Sequence, residues 1–308
     1  GDYDVDGITS TVIIKKILIA LGLAPFHVTP KRKTEGYGLT KKVLNRGLKL
    51  GKINLVIALD CGTNSREEAV FLKDQKIDLI IIDHHQSKDG KPCDAIQVNP
   101  HLHDDNDEPW RFLCTAGLAF KTVHGILKKL RKAGIKKAFE INPKDYLSLA
   151  GLGTIADLVP LRNENRILAS FGLKLMHTDP APGLHALLNQ SNIPVDTVVE
   201  SEDIAFKLAP RINACGRLDD PEVAISLLLN SSESESKSLA KKMNDYNEAR
   251  KGIESDLTKD ALIQAEEFFN SSPAVVVCGE GDHWNPGVVG IVAGKLANLL
   301  GKPCIVLA

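Results

Sequence analysis

Leu55-Val56-Ile57-Ala58-Leu59-Asp60 and Leu79-Ile80-Ile81-Ile82-Asp83-His84-His85 decide the fold. Each is an unbroken apolar run closed by an acid. A strand half-exposed to water alternates apolar and polar residues, whereas a strand covered on both faces reads as continuous. Residues 66–74 between them read as a helix, so strand, helix and strand follow one another as in a parallel α/β sheet. Working outward, 8–21 reads as an apolar helix ended by Gly22, 26–29 as a short strand, and 39–50 as a helix closed by Gly51.

Beyond residue 115 the pattern turns helical, over 115–132, 143–151, 164–176 and 201–209. Residues 232–269 contain no Pro and a single Gly, with Leu239, Met243, Tyr246, Ile253, Leu257 and Ala261 at helix-like steps, which predicts one long helix. A strand at 274–278, a helix at 288–300 and a strand at 304–307 then begin a second α/β unit. The expected division is 1–230 for a first α/β domain, 231–270 for the connecting helix and 271–308 for an incomplete second domain.

With 43% hydrophobic and 25% charged residues, the chain has the mix of a globular protein. Its net charge of −1 gives no sign of a nucleic-acid partner, so any basic groove must be local. Only 5% of residues are aromatic, which argues against a broad base-stacking platform. Cys61, Cys93, Cys114, Cys215, Cys278 and Cys304 contain no CxxC pair and read as small buried hydrophobes in a reducing compartment. No secretory signal and no membrane-length apolar run occurs, so a cytoplasmic location and no membrane partner are expected. A chain that begins on Gly1, inside a motif, reads as a fragment.

The acids and histidines carry the chemistry. Gly1-Asp2-Tyr3-Asp4-Val5-Asp6-Gly7 has acids at alternate positions, which in extended chain puts the carboxylates on one side, a costly arrangement unless a cation neutralises them. The alternative is a solvated turn, with Asp6 capping the helix near Ile8; that reading is adopted for Asp6. Asp60 lies where a parallel strand ends, the place where α/β sheets keep their sites, though an ordinary strand-end turn is open too. Asp83-His84-His85 occupies the same topological position, and carboxylate and imidazole suit Mn²⁺, Zn²⁺ or Fe²⁺. In a continuing strand the two imidazoles face opposite ways, so one of them at most is a ligand unless the strand has ended. Gly151-Leu152-Gly153-Thr154-Ile155-Ala156-Asp157 adds an acid after an apolar helix, or is a helix end followed by a loop. A site of carboxylates with one or two His and no Cys suits paired divalent ions, which serve phosphoester hydrolysis without a Ser or Cys nucleophile.

The order DxD, DCG, DHH and GTxAD resembles the motif series of the DHH phosphoesterase family. Pro30-Lys31-Arg32-Lys33-Thr34-Glu35-Gly36-Tyr37-Gly38-Leu39, Pro210-Arg211-Ile212-Asn213-Ala214-Cys215-Gly216-Arg217-Leu218 and Trp284-Asn285-Pro286-Gly287-Val288-Val289-Gly290-Ile291-Val292-Ala293 are similar to segments of its RecJ-type exonucleases. The resemblance implies Asp2, Asp4, Asp60, His84 and Asp157 as ligands of two divalent cations, Mn²⁺ or Mg²⁺. It implies His85, with Asp60 and Asp4, as catalytic, His85 at the scissile phosphate or leaving group. It further implies Arg32 and Tyr37 on phosphate or the 5′ end, and Arg211, Asn213 and Arg217 along the substrate path. Surface or structural ion pairs are the alternative for the arginines, and core packing for Trp284.

The implied activity is hydrolysis of single-stranded DNA from its 5′ end to 5′-mononucleotides, in repair and recombination. The alternative is another DHH phosphoesterase acting on oligoribonucleotides, cyclic dinucleotides or pyrophosphate; a relative that binds nucleic acid without metals is the non-enzymatic one. Single-stranded DNA is the implied partner, with a single-stranded-DNA-binding protein and a helicase as candidate protein partners and a monomeric state. The family's strand into the first motif, its closing Gly-rich motif and its oligonucleotide-binding β-barrel have no counterpart in these residues. His101-Leu102-His103-Asp104-Asp105-Asn106-Asp107-Glu108 matches nothing in the family and reads as a solvated loop, or as a cation site.

Overall fold

A computed structural model describes residues 1–102, 108–194, 196–218, 220–281 and 283–308. The two apolar runs lie side by side as β1 (Leu55–Leu59) and β2 (Asp78–Ile82), parallel, with Leu59 opposite Ile82. A third parallel strand, β3 (Ile96–Val98), pairs on the far side of β2, with Ile82 opposite Val98. This register brings the strand ends level. Asp60 N–H donates to Ile82 O at 3.0 Å and Asp83 N–H to Val98 O at 3.1 Å. On the other edge, Asp2 N–H donates to Leu59 O at 3.1 Å. Asp2, Asp60, Asp83 and Asn99 thus stand in one row beyond the sheet.

The helices in chain order are α1 (Val5–Ala20), α2 (Lys41–Leu48), α3 (Arg66–Asp74), α4 (Thr115–Lys132), α5 (Lys136–Glu140), α6 (Leu147–Ala156), α7 (Asn163–Thr178), α8 (Pro182–Gln190) and α9 (Ser201–Asp203). α10 (Ala209–Arg217), α11 (Glu222–Leu229), α12 (Glu233–Phe269) and α13 (Val289–Leu300) complete the series. α1 is buried nearly all round, as a helix apolar on every side must be. Its Ile8, Val12, Ile13 and Ile17 are fully enclosed by residues of α4, α6, α10 and α11 in the main core. Leu44, Leu72 and Cys93 fill a smaller core on the opposite face of the sheet. The C-terminal half of α12, α13 and the parallel pair β4 (Val275–Cys278) and β5 (Cys304–Leu307) enclose a third core around Trp284 and Val292. Trp284 is therefore a packing residue. The architecture is α/β, as expected.

Four local expectations need correction. Residues 26–29 form no strand: Val28 O accepts the Gly1 amine, and His27 is held between Lys15 and Glu222 side chains. The stretch 143–151 is two elements, a 3₁₀ turn (Pro143–Tyr146) started by Asn142, then α6. The helix begun at Ser201 passes through a π turn (Ile204–Leu208) and continues as α10. Asp6 does not cap its own helix, which starts at Val5 with Asp4 as its cap. Most of the polar stretch 101–108 lies outside the described residues. No described helix is long and apolar enough to cross a membrane.

Candidate metal centre

Asp4 accepts Gly7 N–H at 2.9 Å, which starts α1 and leaves its second oxygen free. Asp6, two residues further along the chain, is buried in the interior. Its two oxygens accept Thr115 N–H and Ala116 N–H, both at 2.7 Å, so it caps α4 from a distance. Asn213, from α10, accepts Val5 N–H at 3.2 Å and so holds the start of α1 from behind. Gly216 lets α10 come this close: a Cβ there would lie 2.6 Å from Tyr3 O.

Asp60 sits in the left-handed region at φ 61°, a conformation Asp tolerates better than most side chains. Its carboxylate turns inward, where Thr115 Oγ1 donates to Oδ1 at 2.9 Å. β2 ends at Ile82, so His84 and His85 are free of the strand alternation. Both face the acids. His84 Nε2 lies 3.5 Å from Asp60 Oδ1, 3.5 Å from Asp157 Oδ2 and 3.7 Å from Asp6 Oδ2. His85 Nδ1 is 2.7 Å from Asp83 and 3.9 Å from Asp60. Asp157 ends α6 as its C-cap residue.

Among the described residues, Asp2, Asp4 and Asp60 offer oxygens within 4.8 Å of one another. Asp60, His84 and His85 do the same, as do Asp6, Cys114 and Asp157. Crowded, buried carboxylates resist ionisation. Burial, then the charge of Asp4, pushes Asp2 up to about 7. Burial, then Asp6 and Asp4, pushes Asp157 up to about 7. Asp60 is raised well above the carboxylate range by burial and the surrounding acids. Burial holds His84 below its ordinary value, so it meets the acids as neutral imidazole with a lone pair to give. Asp2 Oδ1 and Asp157 Oδ2 are buried without a hydrogen-bond partner. Orphaned anionic oxygens beside a neutral imidazole fit a divalent cation, which supplies the missing partner and removes the repulsion.

The remaining predicted residues divide. Tyr37 Oη is 3.2 Å from His85 Nε2, and its ring meets Tyr3 edge-on. Arg32 lies over the Tyr3 ring, 5.5 Å from the centroid. Arg217 donates to Gly287 O at 2.8 Å; burial, then the nearby Arg32 and Arg250, lowers its pKa. Arg211 turns away to the long helix, donating to Asn244 Oδ1 and to Lys207 O. Sequence reasoning took Asp6 for a cap of its own helix and missed Thr115, Thr63 and Asn99. Of these last three, Thr115, a hydroxyl residue at a helix start, carried a local signal.

A sequence model described as "DHH family, N-terminal domain" matches residues 1–154. A solved structure, exonuclease RecJ bound to manganese, superposes with a TM-score of 0.85 at 31% identity, covering 100% of this chain and 74% of that one. The chain belongs to the DHH family, among its RecJ-type members. The single-stranded-DNA-specific exonuclease RecJ of Bacillus subtilis is 36% identical over 100% of this RecJ-type chain and 37% of its own length. RecJ of Salmonella typhimurium is 35% identical over 100% of the chain and 54% of its own length. The chain spans about half, or less, of the curated relatives it matches.

Proposed function

We propose that this chain is the catalytic core of a metal-dependent exonuclease that degrades single-stranded DNA from the 5′ end to 5′-mononucleotides, in repair and recombination. The observation that carries the reading is the convergence of Asp2, Asp4 and Asp60 within 4.8 Å beside His84 and Asp157. It is supported by the name of the relatives, single-stranded-DNA-specific exonuclease, and by RecJ structures solved with Mn²⁺ and with Mg²⁺. The division is a catalytic domain over 1–230, a connecting helix over 231–270 and a substrate-binding unit over 271–308.

Asp2, Asp4, Asp60, His84 and Asp157 hold two divalent cations, Mn²⁺ or Mg²⁺. Such a pair supplies the positive charge that phosphoester cleavage needs and acidifies water. The hydrogen bond to Asp83 holds His85 by Nδ1 and raises its pKa, so Nε2 is the nitrogen presented to a phosphate oxygen or leaving group. Arg32 and Arg217, with Tyr37, receive the phosphates at the mouth of the cluster, where a guanidinium fits phosphate geometry. Asn213 serves through Val5 rather than by touching substrate, and Arg211 through α12. Single-stranded DNA is the partner; a single-stranded-DNA-binding protein and a helicase are the protein partners, and the chain works as a monomer in the cytoplasm. Unpaired, buried Cys61, Cys93, Cys114 and Cys215 suit that reducing compartment.

The test is digestion of 5′-labelled single-stranded DNA with Mn²⁺, beside duplex DNA and an oligoribonucleotide. Release of labelled mononucleotide from the single strand, abolished in Asp60→Asn, is expected. Cleavage of the oligoribonucleotide with none of the single-stranded DNA would overturn the reading in favour of another DHH phosphoesterase.

A further inference from the structure

Asn99 follows β3 and is 2% exposed. Its carboxamide is fully committed: Oδ1 accepts His101 N–H at 2.8 Å, which fixes the amide orientation, and Nδ2 donates twice. One donation goes to His85 O at 2.9 Å, the other to Thr63 Oγ1 at 2.8 Å. With a lone pair used by Asn99, the Thr63 hydroxyl proton is directed to Asp83 Oδ2, 2.5 Å away, and Thr63 N–H donates to the same oxygen at 3.0 Å. Asp83 Oδ1 then accepts His84 N–H at 2.8 Å, His85 N–H at 3.2 Å and His85 Nδ1 at 2.7 Å. Every hydrogen in this buried chain has one direction available to it.

We infer that Asn99 is a positioning residue for His85, gripping its backbone carbonyl directly and its imidazole through Thr63 and Asp83. A carboxylate is acceptor-only, so Asp83 requires the proton of His85 to sit on Nδ1. Nε2 is thereby the nitrogen left to deal with substrate, and it is the one beside Tyr37 Oη at 3.2 Å. Asn99 touches none of the cation-holding residues through its side chain. Its loss therefore loosens the aim of one imidazole without emptying the acid cluster. The inference rests on the proposed hydrolysis only for its kinetic readout.

The experiment compares Asn99→Ala, Thr63→Val and Thr63→Ser with the parent chain. Each is checked for folding by circular dichroism and for Mn²⁺ affinity by calorimetry. Outer residues that orient an active-site His typically matter about ten- to a hundredfold. Asn99→Ala and the isosteric Thr63→Val are expected to lower kcat about thirtyfold, with KM within about twofold and Mn²⁺ affinity within about threefold. Thr63→Ser keeps the hydroxyl and restores kcat. Spectra of ¹⁵N-histidine-labelled protein in Mg²⁺ are expected to show His85 protonated at Nδ1 in the parent and a mixed state in Asn99→Ala and Thr63→Val. Unchanged kcat and an unchanged His85 signature in both variants would sink the inference, as would equal losses of kcat and Mn²⁺ affinity. A parent chain that hydrolyses no DNA while the His85 signature shifts as described refutes the proposed substrate and leaves the positioning role standing.

Discussion

Asp6 Oδ2 accepts the backbone N–H of Thr115 at 2.7 Å across 109 positions of sequence. The same Thr115 passes its hydroxyl to Asp60 Oδ1 at 2.9 Å. Asp6 thus sets the start of α4, and α4 sets one oxygen of Asp60. Asp6→Ala orphans two buried N–H groups and is expected to lower stability by about 2–4 kcal/mol in Mg²⁺-loaded protein. Asp6→Asn keeps one acceptor and loses about half as much. Urea midpoints at constant slope measure both; equal midpoints for Asp6→Ala and the parent would refute the capping role.

Asp2 and Asp157, each raised to about 7, make EDTA-stripped protein sensitive to pH. A carboxyl whose folded pKa lies above its unfolded value contributes stability that is full below the unfolded value and is lost as pH rises through the folded one. Stripped protein should therefore lose stability between about pH 4 and pH 7. A bound cation offsets the repulsion and competes with the protons. The rise in Tm on adding Mn²⁺ is expected to be larger at pH 8 than at pH 6. A rise of the same size at both values contradicts the assignment of these two carboxyls.

Glu35 accepts Arg46 Nε at 2.8 Å and Nη2 at 2.7 Å, while the same guanidinium donates to Thr29 O at 2.6 Å. This clamp closes the loop that carries Arg32 and Tyr37. Glu35→Gln is expected to raise KM for DNA about fivefold with kcat little changed, close to 1 kcal/mol of binding on the scale of about 1.4 kcal/mol per tenfold. The hydrogen bond from Arg46 holds Glu35 below its ordinary pKa, so its contribution is present above that value and fades as pH falls through the lower folded one. The gap in KM between variant and parent should close on acidification. A gap that widens instead removes the ion pair as its cause.

Gly153 is where α6 passes α1 and α4. A Cβ there would stand 2.5 Å from Ala116 Cβ and 2.6 Å from Thr9 Oγ1, with Asp6 Oδ1 at 3.1 Å. Gly153→Ala should cost about 1–3 kcal/mol of stability through overpacking. Because α6 ends on Asp157, Mn²⁺ affinity should fall with it. Calorimetric titration showing parent-like affinity in a destabilised variant would separate the two effects and refute the link.

The fold was legible wherever apolar residues ran unbroken. Residues 55–59, 79–82 and the long helix needed nothing beyond their own composition, because burial on both faces, or a 3.6 period held over many turns, is written locally. Residues 26–29 alternate apolar and polar over only four positions, and their backbone found no neighbouring strand. β3 was missed because Ile96-Gln97-Val98 is short and partly exposed. At the site, Asp2, Asp4, Asp60, His84, His85 and Asp157 stood out by their order, and the structure brings them together. Asp6 was misread, since a Ser, Asn or Asp near a helix start is most simply a cap for that helix. Its true partners, Thr115 and Ala116, are brought to it by tertiary packing, which no local pattern records. The contacts of Arg211 with Asn244 and Lys207 were hidden for the matching reason: a guanidinium in a promising segment says nothing of which side of its helix it will face.

The acid cluster is assembled from segments between Asp2 and Asp157, and the cap of α4 is supplied by α1. Contacts so distant along the chain form late in folding, after the loops between them have closed. A nascent chain that has emerged only as far as α4 has its first acids but not Asp157, and α6 is not yet there to pack across α1. The acid cluster is thereby incomplete until the chain has been made through Asp157 and α6 has packed across α1.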